Sequence, residues 1–177
     1  GSSSPDSSTR STRRRGSSLT TCTLTAVAAL KPDASIVHLQ RADRYGNAHA
    51  WGNLGLTRDA CLASRHIIVT AEDIVEPEVI SRDPNRVITP GYRVSAVVHA
   101  PWGGHPSPVP GYYNRDHQGF IDYRNESKTP HAYDEWKKKW VQSVQNWKDY
   151  TKLLGEQRMA ELAIKHHDYS EPVDYGY

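Results

Sequence analysis

Three features of this 177-residue sequence predict an α/β fold, an open and mostly parallel sheet with flanking helices. Two apolar runs rich in β-branched residues, 34–43 and 66–75, each begin as a buried strand and finish in charged side chains. The residues between them fit a loop and a short helix. Strand, loop, helix, strand is a βαβ unit, whose strands run parallel with a right-handed crossover. A long aromatic amphipathic stretch towards the C-terminus adds helices outside the sheet.

Residues 1–18 are low-complexity, rich in Ser and Thr, and carry Arg10, Arg13, Arg14 and Arg15. They read as a disordered leader, with a transit peptide as the alternative. Residues 19–169 read as the folded domain and 170–177 as a flexible tail. A short helix is expected over 24–30, ended by Lys31-Pro-Asp33 because proline disfavours helix in the residue before it. Residues 35–39 form the first strand. Thr57 offers an N-cap to a helix over 58–64, where Ala60, Cys61 and Ala63 are small enough to pack closely. The second strand covers 67–70, and a turn of helix broken by Pro77 follows over 72–80. Asp83-Pro-Asn-Arg86 signals a turn.

A third strand is expected over 92–99, where Val94, Ala96 and Val98 alternate with Arg93, Ser95 and Val97. Residues 100–113 then hold four prolines, three glycines and three aromatics, which excludes helix and central strand and leaves a stiff loop. Over 130–154 one helix is expected, with Tyr133, Trp136, Trp140, Val144 and Trp147 as an aromatic stripe; such stripes normally form core or subunit contacts. A second helix covers 156–166 after Gly155.

Composition narrows the function classes. The formal charge of +2 comes from the leader, and the remainder is slightly acidic, so no nucleic-acid partner is expected. No apolar run approaches the roughly 18 residues of a membrane helix. Cys22 and Cys61 make neither a disulfide framework nor a zinc pattern, which fits a reducing, cytoplasmic setting. No glycine-rich dinucleotide fingerprint, phosphate loop or nucleophile elbow is present. His99, His105 and His117 lack metal-ligand spacing, so no metal is expected.

In open α/β sheets chemistry collects at the carboxyl ends of parallel strands. Gln40, Arg41 and Asp43 lie at one such end and either bind a ligand or pair internally. Gly46 and Asn47 suit a tight turn. His49 and Trp51 are expected to face outward, Trp51 as a lid or interface anchor. Glu72 and Asp73 follow the second strand. A carboxylate there acts as a general base or nucleophile, or caps a helix beginning at Ile74.

These residues resemble the A subunit of family I coenzyme A transferases, the group of glutaconate CoA-transferase. The resemblance rests on Ala29-Leu-Lys-Pro-Asp33, Ile36-Val-His-Leu-Gln-Arg-Ala-Asp43 with Gly46-Asn47, Trp51-Gly-Asn-Leu-Gly55 and Ile67-Ile-Val-Thr-Ala-Glu-Asp-Ile-Val75. It continues through Val94-Ser-Ala-Val-Val-His-Ala-Pro-Trp-Gly-Gly-His-Pro-Ser107, Gly111-Tyr-Tyr113 and Asp116-His117, covering roughly residues 20 to 150. The proline-rich loop also resembles A subunits of CoA-ester hydrolases of steroid-ring degradation.

The resemblance implies an enzyme of A and B subunits, a hetero-oligomer that moves coenzyme A between an acyl-CoA and a carboxylic acid. Coenzyme A is then a substrate, with no permanently bound cofactor. A glutamate attacks the acyl-CoA, giving an anhydride and then an enzyme-bound CoA thioester; it belongs to the B subunit in the glutaconate enzyme, so no catalytic residue is assigned here. The family's A subunits have an N-terminal half as well, so this chain reads as the C-terminal half only, truncated at the N-terminus. Its substrate-binding set is expected to be Arg41, Asp43, Asn47, Trp51, Glu72, His99, Trp102 and His105. Arg41 would pair with a carboxylate or phosphate, Trp51, Trp102 and His105 would line or cover the pocket, and Glu72 would position its neighbours. The alternatives are part of an acyl-CoA hydrolase and a non-catalytic interaction fragment.

Overall fold

The computed structural model of the chain describes residues 28–164. The chain divides into two compact units, Gly1–Lys31 and Pro32–Tyr177. Of the first, only residues 28–31 are described, and they have no regular structure. The leader, most of the helix expected over 24–30 and the tail lie outside the described residues.

The second unit is built on a five-stranded sheet: β1 (Ala34–Ala42), β2 (Ala48–His49), β3 (His66–Ile74), β4 (Val87–Thr89) and β5 (Val94–His99), in the order β4-β2-β1-β3-β5. The three longer strands are parallel, with Val37 opposite Val69 and Val69 opposite Val97. The two short strands join antiparallel at the other edge, Ala48 pairing with Ala42 and with Thr89. The sheet is open and mixed, and the expected βαβ unit is β1, α1 (Thr57–Ala63), β3.

Strand alternation sorts the side chains. Val37 and Leu39 on β1, with Ile67, Val69 and Ala71 on β3, are buried in a core shared with Cys61 of α1 and with Ala48, Ala50 and Ile88. Ser35 fastens the helix by donating to the Ala60 carbonyl at 3.1 Å. The opposite face carries Ile36, His38 and Gln40 beside Ile68, Thr70 and Glu72. At the carboxyl ends that face is roofed by the proline-rich loop.

Several boundaries differ from the sequence reading. Helix α1 starts at Thr57 rather than after it, and no side chain caps it. Strand β3 continues to Ile74 because β1 still pairs with it there, so Glu72 and Asp73 are strand residues and cap no helix. The following helix, α2 (Pro77–Ser81), places Pro77 in its first turn, where a missing N–H costs nothing. Residues 91–93 are a 3-10 turn, and β5 begins at Val94.

The expected helix over 130–154 is two helices. After α3 (His117–Glu126), which the sequence reading did not predict, come α4 (Pro130–Lys137), a π-helical turn (Lys138–Gln142) and α5 (Trp147–Leu154). Asn146 starts α5 by accepting from Lys148 N–H (2.9 Å) and Asp149 N–H (3.2 Å). The last helix, α6 (Glu156–Leu162), is shorter than expected. Its exit strand ties back to the loop: Asn114 N–H donates to Leu162 O and Ile164 N–H to Tyr112 O.

Candidate active site at the strand ends

The loop over 100–113 straddles the carboxyl edge of the parallel strands. On one side its anchor is Glu72, buried at the end of β3. Glu72 Oε1 accepts from the Tyr113 hydroxyl and from His38 Nε2, both at 2.6 Å, and Oε2 accepts the Trp102 backbone N–H at 2.8 Å. A carboxylate needs donors, so His38 presents a hydrogen at Nε2, while its Nδ1 lies 2.9 Å from the Thr70 hydroxyl, which itself donates to the Val37 carbonyl at 3.3 Å. Both oxygens of Glu72 are therefore engaged in holding the loop.

Trp102 lies in the left-handed region (φ 65°), and its ring stacks on Tyr113 with centroids 4.2 Å apart and planes 8° from parallel. Burial, then the charge of Glu72, pushes the Tyr113 hydroxyl far above its ordinary pKa. Gly104 lies close beneath. A Cβ there would meet Val109 Cγ2 at 2.7 Å and His38 Cδ2 at 2.9 Å, so only glycine brings the loop this near the sheet.

On the other side of the edge, Arg41 and Asp73 are opposite one another on β1 and β3. Tyr112 donates its hydroxyl to Asp73 at 2.6 Å. Burial first, and the bond to Asp73 next, raise the Tyr112 pKa, while Arg41 opposes the rise. Two guanidinium groups lie over the Trp51 ring, Arg41 at 5.4 Å and Arg86 at 5.3 Å from its centroid. Gln40, buried, fixes the Trp51 backbone by donating to its carbonyl at 2.9 Å. Half-buried Arg41, Trp51 and Tyr112 thus form, with the exposed Asp73, a rim of charge and aromatic surface.

The remaining expected residues are placed differently. Asp43 and Asn47 serve the turn between β1 and β2. Asp43 accepts from the backbone of Tyr45 and Asn47 and from the Asn47 amide, and Asn47 Oδ1 accepts Gly91 N–H. His49 points inward to the Ile80 carbonyl at 3.0 Å and is buried, not outward as expected. His99 is exposed, with Nε2 3.0 Å from the Glu72 carbonyl. His105 leaves the strand ends for the helical layer, where Nε2 meets Asp116 at 2.9 Å and Nδ1 meets the Tyr150 hydroxyl at 2.5 Å.

Residues 15–100 match the family model of coenzyme A transferase. The fold matches the crystal structure of glutaconate CoA-transferase from Acidaminococcus fermentans with a TM-score of 0.76 and 35% identity, over 80% of this chain and 45% of that one. The chain belongs to the coenzyme A transferase family. The A subunit of the Acidaminococcus enzyme is 36% identical over 139 residues, 78% of this chain and 43% of the relative. The A subunit of 3-oxoadipate CoA-transferase from Pseudomonas knackmussii is 32% identical over 133 residues, 75% of this chain and 46% of the relative. A cholesterol ring-cleaving hydrolase subunit of Rhodococcus jostii is 34% identical over 116 residues, 64% of this chain and 39% of the relative. This member of the coenzyme A transferase family spans about half the length of the curated relatives it matches.

Sequence reasoning missed His38, Tyr113, Asp116, Tyr150 and Arg158. His38 had a usable signal: a histidine inside an apolar strand, on the face carrying Gln40. Tyr113 ends the loop and Asp116 follows it, neither with any periodicity, and Arg158 sits in an ordinary polar helix. Only the fold brings them together. Among the described residues no cluster of three or more His, Cys, Asp or Glu side chains has a metal-binding arrangement, and no helix is long and apolar enough to cross a membrane.

Proposed function

We propose that this chain forms one wall of the acyl-CoA site in a two-subunit coenzyme A transferase, as the C-terminal part of the A subunit. The observation that carries the reading is the state of Glu72. The buried carboxylate at the end of β3 has both oxygens committed to His38, Tyr113 and Trp102. A covalent nucleophile must reach the thioester, and Glu72, buried with each oxygen bonded to the loop or to His38, instead anchors the loop that shapes the site. The glutamate that attacks the thioester then comes from the B subunit, following the family pattern, and the carboxylate acceptor finally collects the coenzyme A.

In this reading Arg41 and Trp51 are the substrate-facing pair. A guanidinium already lying over an indole is held in place to meet a carboxylate or phosphate with a planar fork. Trp102, stacked on Tyr113, covers the other side of the strand ends. Asp43 and Asn47 act indirectly by bracing the turn that precedes Trp51, and His99 and Glu72 by holding the loop root.

The test is reconstitution of the complete A subunit with its B subunit on acyl-CoA, with and without acetate or succinate. Transfer of coenzyme A to the added carboxylate is expected, and Arg41→Ala should raise KM about tenfold or more with a smaller effect on kcat. Unchanged kinetics would remove Arg41 from the site. The relationship to a ring-cleaving hydrolase supports a second reading, in which water replaces the acceptor. Release of free coenzyme A at the same rate without any carboxylate would select it.

A further inference from the structure

Helices α3 to α6, with His105 and Pro106 of the proline-rich loop, line an open cavity of about 640 Å³ that the proposed transfer does not use. Along one wall runs a hydrogen-bond chain with a fixed direction. Arg158 donates to both oxygens of Asp116, through Nε at 3.1 Å and through a terminal nitrogen. Asp116, buried and also bonded to Gly119 N–H at 2.7 Å, is an acceptor only. His105 must then present its hydrogen at Nε2, and burial, outweighing the pull of Asp116, favours the neutral ring with a bare Nδ1. The Tyr150 hydroxyl gives its one hydrogen to that Nδ1. Its oxygen keeps lone pairs that no donor among the described residues meets.

The other walls state what could supply the donor. Trp136 and Trp140 line the cavity, and Trp140 stands edge-on to Tyr150 with centroids 6.1 Å apart. At the rim Asp122 and Glu126 lie one turn apart on α3, and neither is in a salt bridge among the described residues. Three lining carboxylates against the cations Lys139 and Arg158 leave an excess of negative charge around the neutral histidine. Such a cavity repels carboxylates and phosphates and suits a flat apolar ring.

We propose that this cavity is a second binding site, for a small cationic arylalkylamine whose ring lies against Trp136 and Trp140 and whose N–H donates to the Tyr150 oxygen. The site is separate from the strand-end rim, so its test does not depend on coenzyme A transfer. Calorimetric titration of the full chain with tryptamine and with indole-3-acetate compares one ring system in two charge states. Saturable tryptamine binding is expected, with indole-3-acetate at least about tenfold weaker. Tyr150→Phe should weaken tryptamine about fivefold, the loss of one hydrogen bond. The rim pair Asp122→Asn with Glu126→Gln, both exposed and safe for folding, should bring the two probes within about threefold of each other. Absence of tryptamine saturation, equal affinity for both probes, an unchanged Kd in a folded Tyr150→Phe variant, or an undiminished preference in the rim variant would each overturn the proposal.

Discussion

Glu72 is buried with three donors aimed at it, and each would lose its partner if the carboxylate were removed. A buried donor left unpaired costs about 1–3 kcal/mol, and more when its acceptor was charged. Glu72→Ala is therefore expected to destabilise the chain by about 3 kcal/mol or more, read from the urea midpoint at unchanged slope. Tyr113→Phe should cost about 1–2 kcal/mol and be non-additive with it. The sequence marks Glu72 as a carboxylate on a strand but hides what it does, because His38 and Tyr113 lie 34 and 41 positions away. His105 gives a pH signature. Its folded pKa lies below the ordinary 6.5 because of burial. The unfolded chain thus binds the proton first, and stability should fall as pH drops below about 6.5 towards the depressed folded value. Asp116 has its pKa depressed below 3.8: burial raises it, but bonds to Arg158, Gly119 and His105 prevail. Its contribution is present above 3.8 and lost as pH falls through its folded value. Thermal melts at pH 7.5, 6.5 and 5.5 should show the histidine step, and His105→Gln should flatten it.

The elements that were legible are those whose signal is local. Strands β1 and β3 announce themselves by β-branched runs, and the helix between them by its place in a βαβ unit. Their carboxyl ends were not, because strand length is set by the partner: β3 persists through Asp73 and Ile74 while β1 still pairs with it. Strands β2 and β4 have two and three residues, too few for any period to show. The aromatic stripe over 130–154 kept a helical spacing across a break, and the period concealed Asn146. That residue, followed by Asp149, is a helix-start pattern inside an apparently continuous helix. Asn146→Ala is expected to cost about 1 kcal/mol through loss of the cap. Asn146→Asp should nearly restore stability, since aspartate caps as well and suits the helix N-terminus. If instead alanine proved neutral in chemical denaturation, α4 and α5 would be one helix in solution.

At the scale of the whole molecule, one face of the sheet is unevenly covered. The loop roofs its carboxyl end, whereas the opposite end presents Ile36, Ile68 and Ala96 side by side across β1, β3 and β5. Ile36 is 72% exposed and Val98, on the same face of β5, 45%. Among the described residues β5 is paired on one side only, so its outer edge keeps free backbone donors and acceptors. An apolar row that ends at an open strand edge favours strand-to-strand association, because joining satisfies the backbone and buries the row in one event. Natural edges avoid this with charge or proline, and β5 has neither within Val94–His99. The chain by itself is therefore expected to self-associate, with sedimentation rising from monomer to larger species over the micromolar range. Ile36→Lys with Val98→Lys places a charge on the row and at the edge without touching the core of Val37, Leu39 and Val69. That variant should remain monomeric with an unchanged far-UV spectrum, while Arg93→Ala, outside the row, should associate like the parent. Equal association by the double-lysine variant would show that other surfaces hold the copies together.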